Sequence, residues 1–172
     1  MKPGEYQCDR RWSDQFIPAI RKIVGPHLLV ESSFEVDTKQ AADLVVLRAR
    51  DMTIAARVRR FGYADKYPFE FTVRSARDSQ VKTEMAKMLE GWADWMFYGH
   101  AAQHGFELDR WMLVDLHAWR ERLLRAGYGA GWKQYATSKS NGDGTHFLAF
   151  DVRRFSPPIV IASSGNVTEC ST

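Results

Sequence analysis

From residue 27 to residue 76 the chain is written in short runs of β-forming residues, and this limits what it can become. Residues 53–60 set Ile54, Ala56 and Val58 against Ala55, Arg57 and Arg59. Residues 69–76 set Phe69, Phe71 and Val73 against Glu70, Thr72 and Arg74. Successive side chains of a strand point to opposite faces, so each run predicts a strand with a charged face. Residues 27–36, with Leu28, Leu29, Val30, Phe34 and Val36, and residues 43–49, with Leu44-Val45-Val46-Leu47, predict further strands. Arg50-Asp51 fits a tight turn between the middle runs.

Helical periodicity brackets these runs. Phe16, Ile17, Ile20, Ile23 and Val24 follow a capping Ser13 or Asp14, and Gly25-Pro26 stops that helix. Val81, Met85, Met88, Trp92, Trp95 and Gly99 step by three and four, which predicts a long second helix capped by Ser79. Residues 110–116 predict a strand, 117–125 a short helix, 146–155 a strand and 159–162 one more. The order is helix, three or four strands, helix, strand, helix, strand. That is an α+β (mixed α/β) fold, with a central, mostly antiparallel or mixed sheet and flanking helices.

With 172 residues, 45% of them apolar, the expected organisation is one domain over 1–163 and a small, polar, fraying tail over 164–172. Residues 128–144, rich in Gly and Ser, read as a long loop. Composition excludes collagen, coiled-coil rods and wholesale disorder. No apolar run approaches the roughly 18 residues of a membrane span, and residues 1–12 lack the apolar stretch of a signal peptide, so a cytoplasmic protein is expected. Cys8 and Cys170 form no CxxC pair and read as free thiols. The net charge of +3 does not by itself identify a nucleic-acid binder. The aromatic content of 13%, with six Trp, exceeds what a core of this size needs and implies rings at a surface.

If strands 53–60 and 69–76 pair, Arg57, Arg59, Glu70, Thr72 and Arg74 share one polar face. Such a face is either ion-paired and solvated or an anion site, because a guanidinium binds two phosphate oxygens at once. On the second helix, Glu84, Lys87, Gly91, Asp94 and Tyr98 form a second stripe, with Lys82 near the start. The alternative is local pairing of Glu84 with Lys87. Asp37 and Asp43 come before an apolar strand that Asp43 opens, where oxygen ligands can hold a divalent metal or simply form turns. Phe61, Tyr63 and Tyr67 interleave with Lys66 in one connection, a pattern that stacks on bases or folds back on the sheet. His100 and His104 stand four apart on the expected helix, without HExxH. Phosphate-cradling and nucleophile-elbow signatures are absent.

The element order, with Ala42-Asp43-Leu44-Val45-Val46 opening one strand and charged residues alternating on the next, resembles the PD-(D/E)XK nuclease superfamily. The resemblance implies Mg²⁺ held by Asp37 and Asp43, with Asp43, Glu70, Lys82, Glu84 and Lys87 as catalytic candidates. Where that family keeps Glu-x-Lys, this chain has Arg57-x-Arg59, which removes a metal ligand and adds a cation. The stretch from Asp65 to Ser75, with Lys82-Thr83-Glu84, Gly91–Trp95 and Tyr98-Gly99, is also similar to uncharacterised bacteriophage and prophage proteins. The resulting expectation is a phage-type nucleic-acid-associated protein. Arg57, Arg59, Lys66 and Arg74 would hold the backbone of DNA or RNA, with Mg²⁺-dependent phosphodiester cleavage if the core is active. The competing class is a non-catalytic phage accessory protein whose surface binds a host protein.

Overall fold

The structure, a computed structural model, describes residues 3–31, 44–46, 52–76, 82–127, 129–142 and 144–165. Asp37, Asp43, Arg50, Asp51, Ser79, Val81 and Cys170 lie outside these residues, as does the tail from 166 onward. The described elements confirm an α+β fold. Among the described residues three sheets are formed: β1 (Leu29–Glu31) with β2 (Leu44–Val46), a four-stranded mixed sheet, and a three-stranded antiparallel sheet.

The four-stranded sheet runs in the order β3 (Ile54–Arg59), β5 (Trp95–Ala101), β6 (Leu108–Asp115), β9 (Val160–Ser163). β3 and β5 are parallel, and the other pairs are antiparallel. The second sheet is β4 (Glu70–Ala76), β8 (His146–Asp151), β7 (Ala136–Ser140), with β4 at its edge. One face of the larger sheet looks toward the smaller sheet. Met96, Tyr98, Met112 and Val114 meet Phe71, Val73 and Phe150 there, with Trp119 and Leu123 of α5 (Leu116–Ala126). On the opposite face Val58, Phe97 and Leu113 meet Phe16, Ile20 and Val24 of the helical segment that includes α2 (Ile17–Val24). Alternation along β5 therefore feeds two cores, which is why this strand is apolar on both faces.

Several sequence expectations change. α1 (Pro3–Asp14) forms although no apolar stripe announces it. The long second helix is replaced by α4 (Glu84–Leu89), a turn, and β5. Thr83 caps α4, its Oγ1 accepting from Ala86 N at 3.2 Å. Gly91 ends it with φ of +85°, where a side chain is strained. Gly91 N donates to Met88 O at 3.2 Å and Trp92 N to Lys87 O at 3.1 Å, the two bonds of a glycine-terminated helix end. Beyond it, Trp95-Met96-Phe97-Tyr98 pairs on both edges as a strand. Glu84, Lys87, Gly91, Asp94 and Tyr98 thus share no helix face. His100 is on β5 and His104 in the loop after it, so their helical spacing does not exist.

The expected pairing of strands 53–60 and 69–76 does not occur, because β3 and β4 belong to different sheets. Gly62, at φ of +86°, and α3 (Tyr63–Lys66) turn the chain between them. The expected loop over 128–144 contains a 3₁₀ segment, Gly129–Gln134, and the edge strand β7. Ser164, placed in the tail by sequence, donates its N–H to Trp111 O at 3.0 Å and accepts from Trp111 N through Oγ at 3.0 Å. Among the described residues, no helix is long and apolar enough to cross a membrane. Cys8 is an exposed free thiol.

Candidate functional site

Strand β3 presents Arg57 and Arg59 on its inner face, opposite Tyr98 and His100 of β5. The two arginines enter different surroundings. Arg57 Nη1 donates to Thr72 O at 2.8 Å and to Thr72 Oγ1 at 3.3 Å, while Nη2 meets Glu84 Oε2 at 2.5 Å. The same Glu84 oxygen accepts from Arg74 N at 3.0 Å, and Thr72 Oγ1 lies 3.1 Å from Tyr98 Oη.

These bonds have a common logic. Thr72 C=O and Arg74 N–H point outward from the free edge of β4, where a neighbouring strand would otherwise bond them. Arg57 supplies the donor and Glu84 the acceptor, so an ion pair from β3 and α4 completes an edge that no strand among the described residues covers. Thr72 and Tyr98 are buried, and Arg57 and Glu84 are about three-quarters buried. Arg57 is therefore committed to holding the two sheets together. Arg74 contributes its backbone, and among the described residues its guanidinium has no ion-pair partner.

The other candidates disperse. Glu70 Oε2 pairs with Lys139 Nζ of β7 at 2.7 Å. Lys82 Nζ reaches both oxygens of Glu90 at 2.8 Å and stands 5.7 Å from the centre of the Trp92 ring; Lys87 Nζ stands 5.5 Å from it. Among the described residues, no three His, Cys, Asp or Glu side chains gather as a metal-ligand group. The described carboxylates nearest the expected centre fit Mg²⁺ poorly, since Glu84 already faces a guanidinium and Glu70 an ammonium. Asp37 and Asp43 lie outside the described residues, and no catalytic step through a metal follows from the residues that are described.

At the end of β3 the chemistry is different. Arg59 Cζ lies 4.8 Å from the Tyr63 ring centre, and Arg60 Cζ lies 4.9 Å from that of Trp12. Tyr63 and Tyr67 face each other with centroids 6.3 Å apart, and Lys139 Nζ covers Tyr67 at 4.1 Å. Phe61, Tyr63 and Tyr67 keep 53%, 42% and 38% of their surface exposed, so these rings have not folded onto the sheet. Lys66 is exposed beside them, and Asp65 is the counter-charge within the connection. Fixed guanidinium–ring pairs like these are pre-ordered platforms rather than loose chains.

Next to this connection opens a cleft of about 340 Å³, lined in part by Pro68, Phe69, His100, Arg110 and Met112. Only 2% of the His100 surface is exposed, and among the described residues its buried Nδ1 has no hydrogen-bond partner. Burial lowers the pKa of the imidazole, Arg59 lowers it further, Asp109 opposes this, and Arg110 adds to the lowering. His100 is thus held neutral at pH 7. At the far end of β8, Asp151 behaves differently. Burial alone would raise its pKa, but hydrogen bonds from the Arg153 side chain and backbone, with the charges of Arg153 and Arg154, hold it below the ordinary value.

Read from sequence, Tyr98 falls on a helix and His100 is a weak helical metal ligand; neither the β4 edge cap nor the cleft is legible there. The available signals are Gly91 as a stop and the strand-forming run Trp95–Tyr98. No known family model matches the chain, and no curated protein or solved structure matches it.

Proposed function

We propose that this chain is a phage-type nucleic-acid-binding protein built on a degenerate PD-(D/E)XK-like core. It would act in the host cytoplasm and grip a single strand of DNA or RNA at the end of β3. The observation that carries the reading is the connection from Arg59 to Tyr67, where exposed Phe61, Tyr63 and Tyr67 alternate with Arg59, Arg60 and Lys66. Rings give a sequence-tolerant stack for bases, worth about 1–3 kcal/mol per base, while neighbouring cations neutralise phosphates. The described succession is β2, β3, α3, β4, α4, β5, with β2, β3 and β4 in three different sheets, so the proposed ancestry rests on the sequence resemblance alone.

Binding is better supported than cutting. Arg57 stands where the superfamily keeps an acid, and it is bonded to Glu84. The test is fluorescence anisotropy of short labelled single strands of DNA and RNA, beside a duplex of the same sequence. Saturable, salt-sensitive binding that prefers the single strands is the expected result. Absence of binding by a folded sample at low salt refutes the reading. Incubating the same sample with plasmid, single-stranded DNA or RNA and Mg²⁺ or Mn²⁺ tests the additional property of cleavage.

A further inference from the structure

The connection after β3 holds its two tyrosines in a particular relation. Tyr63 and Tyr67 are four residues apart across the helical turn of α3, the spacing that sets side chains one above the other. Tyr67 N donates to Tyr63 O at 3.0 Å, and Ala64 between them is buried, so the turn is docked on the protein. The rings nonetheless keep 42% and 38% of their surface exposed. Their centroids are 6.3 Å apart and their planes differ by 32°. Two rings that enclose one base lie about 6.8 Å apart, twice the roughly 3.4 Å rise between stacked bases. The tyrosine pair is already close to that spacing, and small rotations of the two side chains remove the tilt.

The outer faces of the pair are taken. Arg59 Cζ stands 4.8 Å from the Tyr63 centroid, and Lys139 Nζ stands 4.1 Å from that of Tyr67. A cation lying between the rings would come within the roughly 6 Å reach of both. Among the described residues Arg59 covers Tyr63 alone and Lys139 covers Tyr67 alone. The order is therefore Arg59, Tyr63, Tyr67, Lys139, with the inner faces of the two rings left to each other. Lys139 arrives from β7 and is fixed in place by Glu70, whose Oε2 it meets at 2.7 Å. Asp65 is exposed on the same turn, so the space between the rings suits an uncharged planar group, while Arg59 and Lys66 attract phosphate.

We infer that Tyr63 and Tyr67 hold one base of the bound strand between them, as a two-sided clamp rather than two separate platforms. This rests on the single-strand reading above and specifies how that site takes a base. Such a clamp tolerates any sequence, because every base offers π-faces for stacking.

The experiment uses short single strands in which every position but one is abasic, beside fully abasic strands of the same length. A strand with one base makes the two rings either share it or compete for it. The parent chain should prefer the one-base strand by about tenfold, the low end for one stacked base. Tyr63→Leu and Tyr67→Leu should each lose about threefold of that preference, half of it in free energy, with little change on the abasic strand. Urea unfolding checks that both variants are folded. If the rings act separately, the base passes to the remaining ring and each variant keeps the parent's preference, which overturns the clamp. A second measurement needs no variant: a fluorescent purine as the one base should be quenched when the parent binds. Unquenched emission from a bound strand overturns the clamp as well. Equal affinity of the parent for both strands does the same and leaves the backbone grip standing. Failure of the parent to bind either strand overturns both readings.

Discussion

Arg57 and Arg59 are two residues apart on the same face of the same strand, yet they belong to different parts of the molecule. Arg57 is spent internally: Thr72 and Glu84 take its donors, and the group completes the free edge of β4. Arg59 reaches the strand end, where its guanidinium lies over Tyr63, and its Cα stands across from His100 of β5. The first region is polar and satisfied. The second keeps exposed rings at the surface and a buried imidazole nitrogen without a partner among the described residues. Residue type and face do not distinguish structural from functional arginine here; the distinction lies in what stands across from each.

The largest way to break this comparison is Glu84→Ala. It leaves Arg57 without its counter-charge and Arg74 N–H without its acceptor, so a stability loss of about 2–3 kcal/mol is expected in urea unfolding. Strand affinity of the folded protein should hardly change. A loss below about 0.5 kcal/mol, the scatter of ordinary surface changes, contradicts the edge-capping role. Glu84→Gln keeps an acceptor for Arg74 and should lose less than Glu84→Ala.

The reciprocal change is Arg59→Ala combined with Tyr63→Ala. Single-strand affinity should fall about tenfold or more, equivalent to about 1.4 kcal/mol, while the urea midpoint stays near that of the parent. The salt dependence should also flatten, by about 0.7 in the log–log slope for each phosphate that is no longer neutralised. A large drop in stability with unchanged affinity would reverse the assignment of the two regions.

Acid titration separates the regions more gently. The folded-state pKa of His100 is depressed below its ordinary value of 6.5, so the unfolded chain binds the extra proton first. The stabilisation from keeping His100 neutral is present above 6.5 and is lost as pH falls below it toward the folded-state pKa. Tm should therefore decline on acidification through this window, and His100→Leu should decline less. Asp151 works in a lower window: its stabilisation is present above its ordinary value of 3.8 and is lost as pH falls toward its depressed folded-state pKa. The smallest effect belongs to Lys82→Ala. Its pair with Glu90 is half exposed, and its removal should change stability by less than about 0.5 kcal/mol.

Local pattern carries much of the fold. Alternation locates β3 and β4, and the apolar period finds most of α2 and α5. Where it misleads, the cause is specific. A step of three and four continues from Met85 through Trp95, but Gly91 at positive φ ends α4, and the next residues bury themselves better as a strand between β3 and β6. The aromatic excess does reflect surface rings in part, since Phe61, Tyr63, Tyr67 and Trp92 are exposed. The same count also includes buried Phe71, Trp119 and Phe150, whose rings pack together.

By itself the sequence determined which residues lie together on a strand face and which connection interleaves rings with cations, because those relations are set by a period of two and by chain neighbours. It could not determine that β3 and β4 enter separate sheets, that Glu84 crosses to Arg57, or that His100 is sealed beside Phe69. Each of those depends on residues far apart in the chain meeting in space, and only the packing of two sheets around a shared core chooses among them.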